Sequence, residues 1–381
     1  MVGTDLSDLS ISAHSGAHSG AFSKSFTRAD VELRPFSLEH LPKVAGLLRH
    51  LWSEDIASNQ RVFQWKYLEN PHRGPSPGIV AVLGDTVVGF RGYFVTPWTS
   101  PGQTAPIRIL CPGDTCVEPA CRQWGLSVAM GEMASRHFAP DFPLFLNTTT
   151  THPSLPGYRK LGFRPLARKA YHSAYRVAGL LRYILRYSDR PSLQAARIRR
   201  CEERDFVVTT EPRAEEMATL ALRESRPWRG LQPLRTRAYF QWRFRHPCRT
   251  YFFYYAYAGG EMQGYAVLGL SPNLRRGYLL DFLDVDGASV GALVGRMLRR
   301  RDVDILSIAT ASLGSTSLDW QAAGFTATGL LRRLERRRTG ELPLLIRPVA
   351  PDFEESHWLV AGVDTRDIRN WQYREMVSDA F

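Results

Sequence analysis

Lysine and cysteine are scarce in this chain, and long apolar runs are missing altogether. Its 381 residues include five cysteines and five lysines, the latter against 44 arginines. The cysteines follow no regular framework spacing, which excludes a disulfide scaffold and points to a reducing compartment. No apolar run approaches the roughly 18 residues of a bilayer span. Even VAGLLRYILRY is cut by Arg182 and Arg186. The N-terminus also lacks the basic-then-apolar pattern of a secretory leader. These absences lead to the expectation of a cytoplasmic protein with no membrane partner.

The net charge of +12 resembles a nucleic-acid signature, but the excess of arginine over lysine is a skew that genome composition alone can produce. In RMLRRRD (296 to 302) and LLRRLERRRTGE (330 to 341), no aromatics are interleaved as a stacking platform would need. They read as solvated faces, and nucleic acid is not an expected partner. No metal is expected either. His14 and His18 have Gly16 between them and no carboxylate nearby. Cys111, Cys116 and Cys121 repeat at five-residue intervals, which in a strand places the first two on opposite faces.

A hydrophobic content of 44% with 11% aromatics suits a packed globular protein, and the length suits two cores. Residues 1 to 28 are rich in Ser, Gly, Ala and His and read as a disordered arm. After it, VELRPFSLEHLPKVAGLLRHLW predicts a strand and then a helix from about Ser37, with Leu41, Val44, Leu47, Leu48 and Leu51 on one face. Two antiparallel strands are expected around Gly84-Asp85, and further strands over 107 to 117 and near FPLFLNTT. Between these last two, the strand breaks at Pro119, passes Gly125 and enters a helix from Leu126 to about Arg136. A turn of that kind presents backbone N–H groups to a phosphate.

Much of this plan occurs twice. FQWKYLENP (63 to 71) returns as FQWRFRHP (240 to 247), and GDTVVGFRGYFV (84 to 95) as GGEMQGYAVLGL (259 to 270). YRKLGFRPL (158 to 166) pairs with WQAAGFTAT (320 to 328). Three matches in one order imply a tandem duplication: 29 to 175 and 205 to 381, joined by a basic, helix-prone linker at 176 to 204.

On these residues the chain resembles the Gcn5-related N-acetyltransferases over most of 30 to 381, as two copies. The resemblance implies an α/β fold in which each copy is a splayed mixed β-sheet flanked by helices. It also implies an acyl-CoA pyrophosphate on a Q/R-x-x-G-x-G/A turn, here Arg122, Gln123, Trp124, Gly125, Leu126 and Ser127. Ser127 replaces the usual small last residue, and Trp124 is bulky for such a turn. Gly125 avoids a Cβ clash there, and the helix dipole favours the anion. In the second copy no Arg or Gln precedes a suitable glycine, and Asp284 and Asp286 would repel a pyrophosphate. That copy is expected to lack the site.

Acyl transfer to an amine needs a neutral amine, a polarised carbonyl and a protonated leaving thiolate. The resemblance implies that backbone N–H groups near Asp114 to Val117 polarise the carbonyl. Glu118 is the first candidate base, with Asp114 and His152 as alternatives. Tyr158 stands where the family carries a tyrosine near the CoA sulfur, and would protonate the thiolate. The family's cofactor-contacting Asn, seven residues earlier, is Thr151 here, while Asn147 lies at the strand end. Cys116 is a lesser candidate as nucleophile, since the family transfers directly. Trp65 and Trp242 read as core anchors.

The resulting expectation is an N-acetyltransferase using acetyl-CoA as donor and a small-molecule amine, such as an amino sugar or amino-acid-like metabolite, as acceptor. Two other readings stand beside it. One is an aminoacyl-tRNA-dependent transferase on the same duplicated fold, and the other is a non-catalytic binding or scaffold protein.

Overall fold

The computed structural model describes residues 27–175, 198–223, 228–270, 276–315, 320–321, 323–325 and 342–378. Residues 1–26 of the expected arm, most of the linker and the arginine run at 330 to 341 lie outside the described residues.

Two mixed β-sheets carry the fold. The first contains β1 (Val31–Pro35), β2 (Gly78–Leu83), β3 (Thr86–Thr99), β4 (Ile107–Val117), β5 (Leu144–Asn147) and β6 (Arg164–Arg168). The second is built from β7 (Tyr171–Tyr175), β8 (Cys201–Glu202), β9 (Phe206–Thr209), β11 (Tyr251–Ala258), β12 (Glu261–Leu270), β13 (Arg276–Asp284) and β14 (Ile305–Ala309). The two-residue β10 (Gln232–Pro233) pairs with β3 at Trp98 and Thr99. A strand from near the far end of the chain, β15 (Pro343–Pro348), lies between β5 and β6 in the first sheet. In the second sheet the edge beside β14 is β7.

Compact folding divides the chain accordingly. One unit comprises the described residues of Met1–Val95, Arg108–Arg164 and Leu345–His357, the other those of Thr96–Ile107, Pro165–Leu344 and Trp358–Phe381.

In the first unit the predicted hairpin forms as expected, with Leu83 opposite Thr86 and Gly84 at φ +56°. The helix expected from Ser37 to Leu51 is broken into short pieces: 3-10 turns at Leu38–His40 and Leu48–His50 flank α1 (Leu41–Leu47). His40 explains the first break. Its Nδ1 accepts the Ser37 N–H at 2.9 Å, a local bond that stops the segment at a tight turn. A second helix, α2 (Ile56–Phe63), is capped by Asp55, which accepts the Ala57 N–H. Helix α3 (Leu126–Phe138) lays Met130, Ala134 and Phe138 on a core that includes Ile79, Tyr93, Phe145 and Leu345. The short α4 (Leu155–Lys160) follows β5.

The second unit is covered by α5 (Ala214–Arg223), α6 (Arg237–Arg243) and α7 (Ser289–Arg300). One of the paired sequence elements keeps its local geometry among the described residues. Tyr158 and Phe163 meet edge-on at 5.0 Å, and Trp320 and Phe325 do so at 5.2 Å. Gly162 and Gly324, which precede the phenylalanines, have φ +81° and +88°. Trp65 and Trp242 are both buried. In the 296 to 302 run, Arg296 pairs with Glu203 and Asp205, and Arg300 with Asp302. No helix among the described residues is long and apolar enough to cross a membrane.

Candidate active site

Strands β4 and β5 run parallel but share a single paired position, Leu110 with Phe145. Beyond it β4 continues to Val117 while β5 stops at Asn147, so the sheet splays open. Two threonines past this point, Thr115 on β4 and Thr150 after β5, have buried hydroxyl oxygens with no hydrogen-bond partner among the described residues. Buried polar atoms are normally paired, so unpaired ones next to a splay point to a ligand.

At the end of β4 the chain turns through a 3-10 segment, Pro119–Cys121, before α3. Gln123 has φ +70° and Gly125 φ +73°. Two left-handed residues so close together gather successive N–H groups into a concave array. The first helical bonds are those from Val128 and Ala129 to the Gly125 carbonyl, and α3 has no side-chain cap. The five N–H groups from Gln123 to Ser127 therefore have no protein acceptor among the described residues. Trp124 does not crowd the array, because its indole packs against the hydrophobic core together with Val117. Arg122 is exposed, with Nε 3.4 Å from the Val117 carbonyl.

Beneath the turn lies Arg91 of β3, which is 3% exposed. Its Nη1 donates to the Ser127 carbonyl at 3.0 Å, and its Nε to the Tyr93 hydroxyl at 2.9 Å. The guanidinium stacks 4.7 Å from the Tyr158 ring. Arg91 thus ties Ser127 in the first turn of α3 to Tyr158 on α4. Its Nη2 is buried without a partner among the described residues.

The carboxylate candidates differ sharply. Asp114, at φ +45° within β4, is nearly buried and accepts hydrogen bonds from Trp52 Nε1 at 2.9 Å, from Tyr67 and from Lys66. The Lys66 ammonium lies 5.2 to 5.9 Å from the rings of Phe94, Tyr67 and Trp52. Glu118 is partly exposed, and its Oε2 lies 3.4 Å from His50 Nε2. Its backbone N–H is tied to the Val88 carbonyl.

Asn147 and Thr151 are used locally. Asn147 Oδ1 accepts the Thr149 N–H, and the Thr151 N–H and hydroxyl both donate to Ser154 Oγ. His152 is exposed. Sequence reasoning missed His50, Trp52 and Arg91, and it read the Trp65 to Asn70 segment as a lining of the acceptor groove without foreseeing that Lys66 and Tyr67 bond Asp114. A lysine inside FQWKY and an arginine inside GFRGYFV, each a charge in an aromatic run, were the available signals.

Cys116 is buried, and burial pushes its thiol up to about 12. Its Sγ donates to the Leu47 carbonyl. A thiol so placed is not a thiolate nucleophile at neutral pH. Brief alkylation of the native protein at pH 8 is expected to modify the exposed Cys248 and spare Cys111, Cys116 and Cys121. Peptide mass spectrometry reads this out, and labelling of Cys116 at the rate of Cys248 would contradict it.

In the second unit, the turn that leads into α7 is filled by its own side chains. Asp286 Oδ1 accepts the N–H groups of Ala288 and Ser289, and Asp284 Oδ2 accepts that of Val290, at the start of α7. Burial works against the Asp286 charge, but the bonds from Ser289 and Ala288 prevail and hold its carboxyl below the usual range.

No protein-family model matches the chain, and no curated relative matches it. Solved structures do. The chain is similar to an Enterococcus faecalis V583 protein named a probable N-acyltransferase, with 11% identity, 86% of this chain and 74% of that one covered, and a TM-score of 0.53. It is similar also to a GCN5-related N-acetyltransferase from Anabaena variabilis, with 12% identity, coverage of 84% and 73%, and a TM-score of 0.54. A third, a GCN5-related N-acetyltransferase from Kribbella flavida, shares 12% identity over 84% and 71%, with a TM-score of 0.51. At such identities the likeness is one of fold, and the fold is that of the Gcn5-related N-acetyltransferases.

Proposed function

We propose that this chain is an acyl-CoA-dependent N-acyltransferase that works through its first unit, with acetyl-CoA as donor and the amine of a small molecule, an amino sugar or amino-acid-like metabolite, as acceptor. The observation that carries this reading is the array of five N–H groups at 123 to 127 that have no acceptor among the described residues. A diphosphate is the anion such an array suits, and the positive end of α3 adds to the attraction. The unpaired Thr115 and Thr150 hydroxyls beside the splay fit the same donor, whose pantetheine arm carries amides. The second unit is proposed to be a copy that arose by duplication and lost donor binding, because Asp284 and Asp286 already hold the N–H groups a phosphate would need.

In this mechanism the acceptor nitrogen attacks the thioester carbonyl, whose oxygen is polarised by N–H groups of the unpaired end of β4. Glu118, steadied by His50, takes the proton from nitrogen. The sulfur departs with a proton from the Tyr158 hydroxyl. Asp114 is assigned a supporting role, since its oxygens already accept three donors.

Calorimetric titration with acetyl-CoA tests the reading: binding with a stoichiometry near one is expected, and no heat at any concentration would defeat it. Once an amine acceptor is found, Tyr158→Phe and Glu118→Gln are each expected to lower kcat about 100-fold, the usual range for a lost general acid or base. Donor affinity should stay within about threefold of the parent, a difference of under 1 kcal/mol. Full kcat in Tyr158→Phe would remove that residue from the mechanism.

A further inference from the structure

Arg28 lies over the same turn. It begins the 3-10 segment Arg28–Asp30, immediately before β1. That segment is fixed by Asp30, whose Oδ2 accepts both the N–H and the hydroxyl of Thr27. The one carboxylate within two residues of Arg28 is thereby occupied. The Arg28 guanidinium has no ion-pair or hydrogen-bond partner among the described residues. A Cβ built at Gly125 would meet its Nη1 at 3.4 Å and its Cζ at 3.7 Å, so the guanidinium stands at van der Waals distance from the Gly125 corner of the turn.

The turn is therefore bracketed by two arginines. Arg91, buried and with an unpartnered Nη2, lies against its inner side through the Ser127 carbonyl, and Arg28 covers its outer side. No carboxylate is bonded to either cation among the described residues. Two cations beside five N–H donors that have no acceptor among the described residues give this corner of the molecule a strongly positive potential.

Resting on the acyl-CoA reading above, we propose that Arg28 is a direct ligand of the donor's diphosphate. The segment ahead of β1 thus supplies the outer wall of the donor site, and Arg91 is a positioning residue that sets the first turn of α3 from below. The guanidinium fork suits phosphate oxygens, and its place over Gly125 leaves room for them only because that residue has no side chain.

The test titrates the full-length parent, Arg28→Met and Arg28→Lys with coenzyme A at low salt and again at about 1 M salt, where the screening length falls to about 3 Å. Arg28→Met is expected to bind about tenfold more weakly at low salt, as befits one lost charge-assisted hydrogen bond, with Arg28→Lys in between. The gap should narrow at high salt, and melting temperatures should agree. A gap that persists at high salt would mark a structural effect and overturn the assignment. Parent-like affinity in Arg28→Met, beside loss of binding in Gly125→Glu, would keep the turn as the donor site and remove Arg28 from it. If the parent itself fails to bind, the acyl-CoA reading falls and this assignment falls with it.

Discussion

The Gly125→Glu chain is expected to bind acetyl-CoA at least about 100-fold more weakly than the parent, a loss of about 3 kcal/mol, while remaining folded. Two effects act together. Gly125 sits at φ +73°, where any Cβ costs on the order of 1 kcal/mol, so the turn itself is strained. The larger effect is electrostatic. A carboxylate at this position would take the free N–H groups and the Arg28 guanidinium for itself, as Asp284 and Asp286 take those of α7 in the second unit. Calorimetry measures the affinity and circular dichroism the melting point. Gly125→Ala separates the two effects, since it brings the backbone strain without the charge and should lose about tenfold or less. Parent-like binding by Gly125→Glu would place the donor elsewhere.

Lys66→Met is expected to destabilise the protein by about 3 kcal/mol, the range found when one partner of a buried ion pair is removed. Lys66 and Asp114 are both close to fully buried, and the surrounding rings of Trp52, Tyr67 and Phe94 offer the carboxylate no second cation. The lone Asp114 charge would keep only the hydrogen bonds from Trp52 and Tyr67. Urea unfolding of parent and variant gives the difference. Adding Asp114→Asn to Lys66→Met should recover more than half of it, because the neutral amide still accepts from Trp52 and tolerates φ +45°. A loss below about 1 kcal/mol in Lys66→Met would mean that the pair behaves as a solvated one. Asp114 sits on β4 three residues before its end, so the variant is a probe of how firmly the splayed strand is held.

Local pattern carried the elements that position the turn. The Gly84-Asp85 hairpin, the long strand ending at Val117, and the break at Pro119 followed by a glycine and an amphipathic helix are all written in neighbouring residues. The interruption of the first helix escaped the periodicity because the cause is a side-chain bond from Ser37 to His40, which leaves the apolar spacing intact. The polar supports of the site escaped for a different reason. His50 meets Glu118, and Lys66 meets Asp114, across 68 and 48 residues, and no spacing rule links such positions. Arg91 reads from sequence as one charge on an apolar strand, and only the tertiary structure sets it between Ser127 and Tyr158. The same holds for β15, whose neighbours β5 and β6 lie far earlier in the chain, at Leu144–Asn147 and Arg164–Arg168.

That last strand has a consequence for how the protein comes into being. During synthesis, β1 to β6 leave the ribosome long before Pro343–Pro348 does, and until then β5 and β6 lack the strand that joins them. The splay between β4 and β5 is bounded on its far side by a sheet completed last. A chain cut between Tyr175 and Cys201 would leave the first half without an inner strand and the second without its β7 edge. Each sheet is thus completed by a strand from the other side of that cut, and neither segment alone carries all the strands of its own sheet.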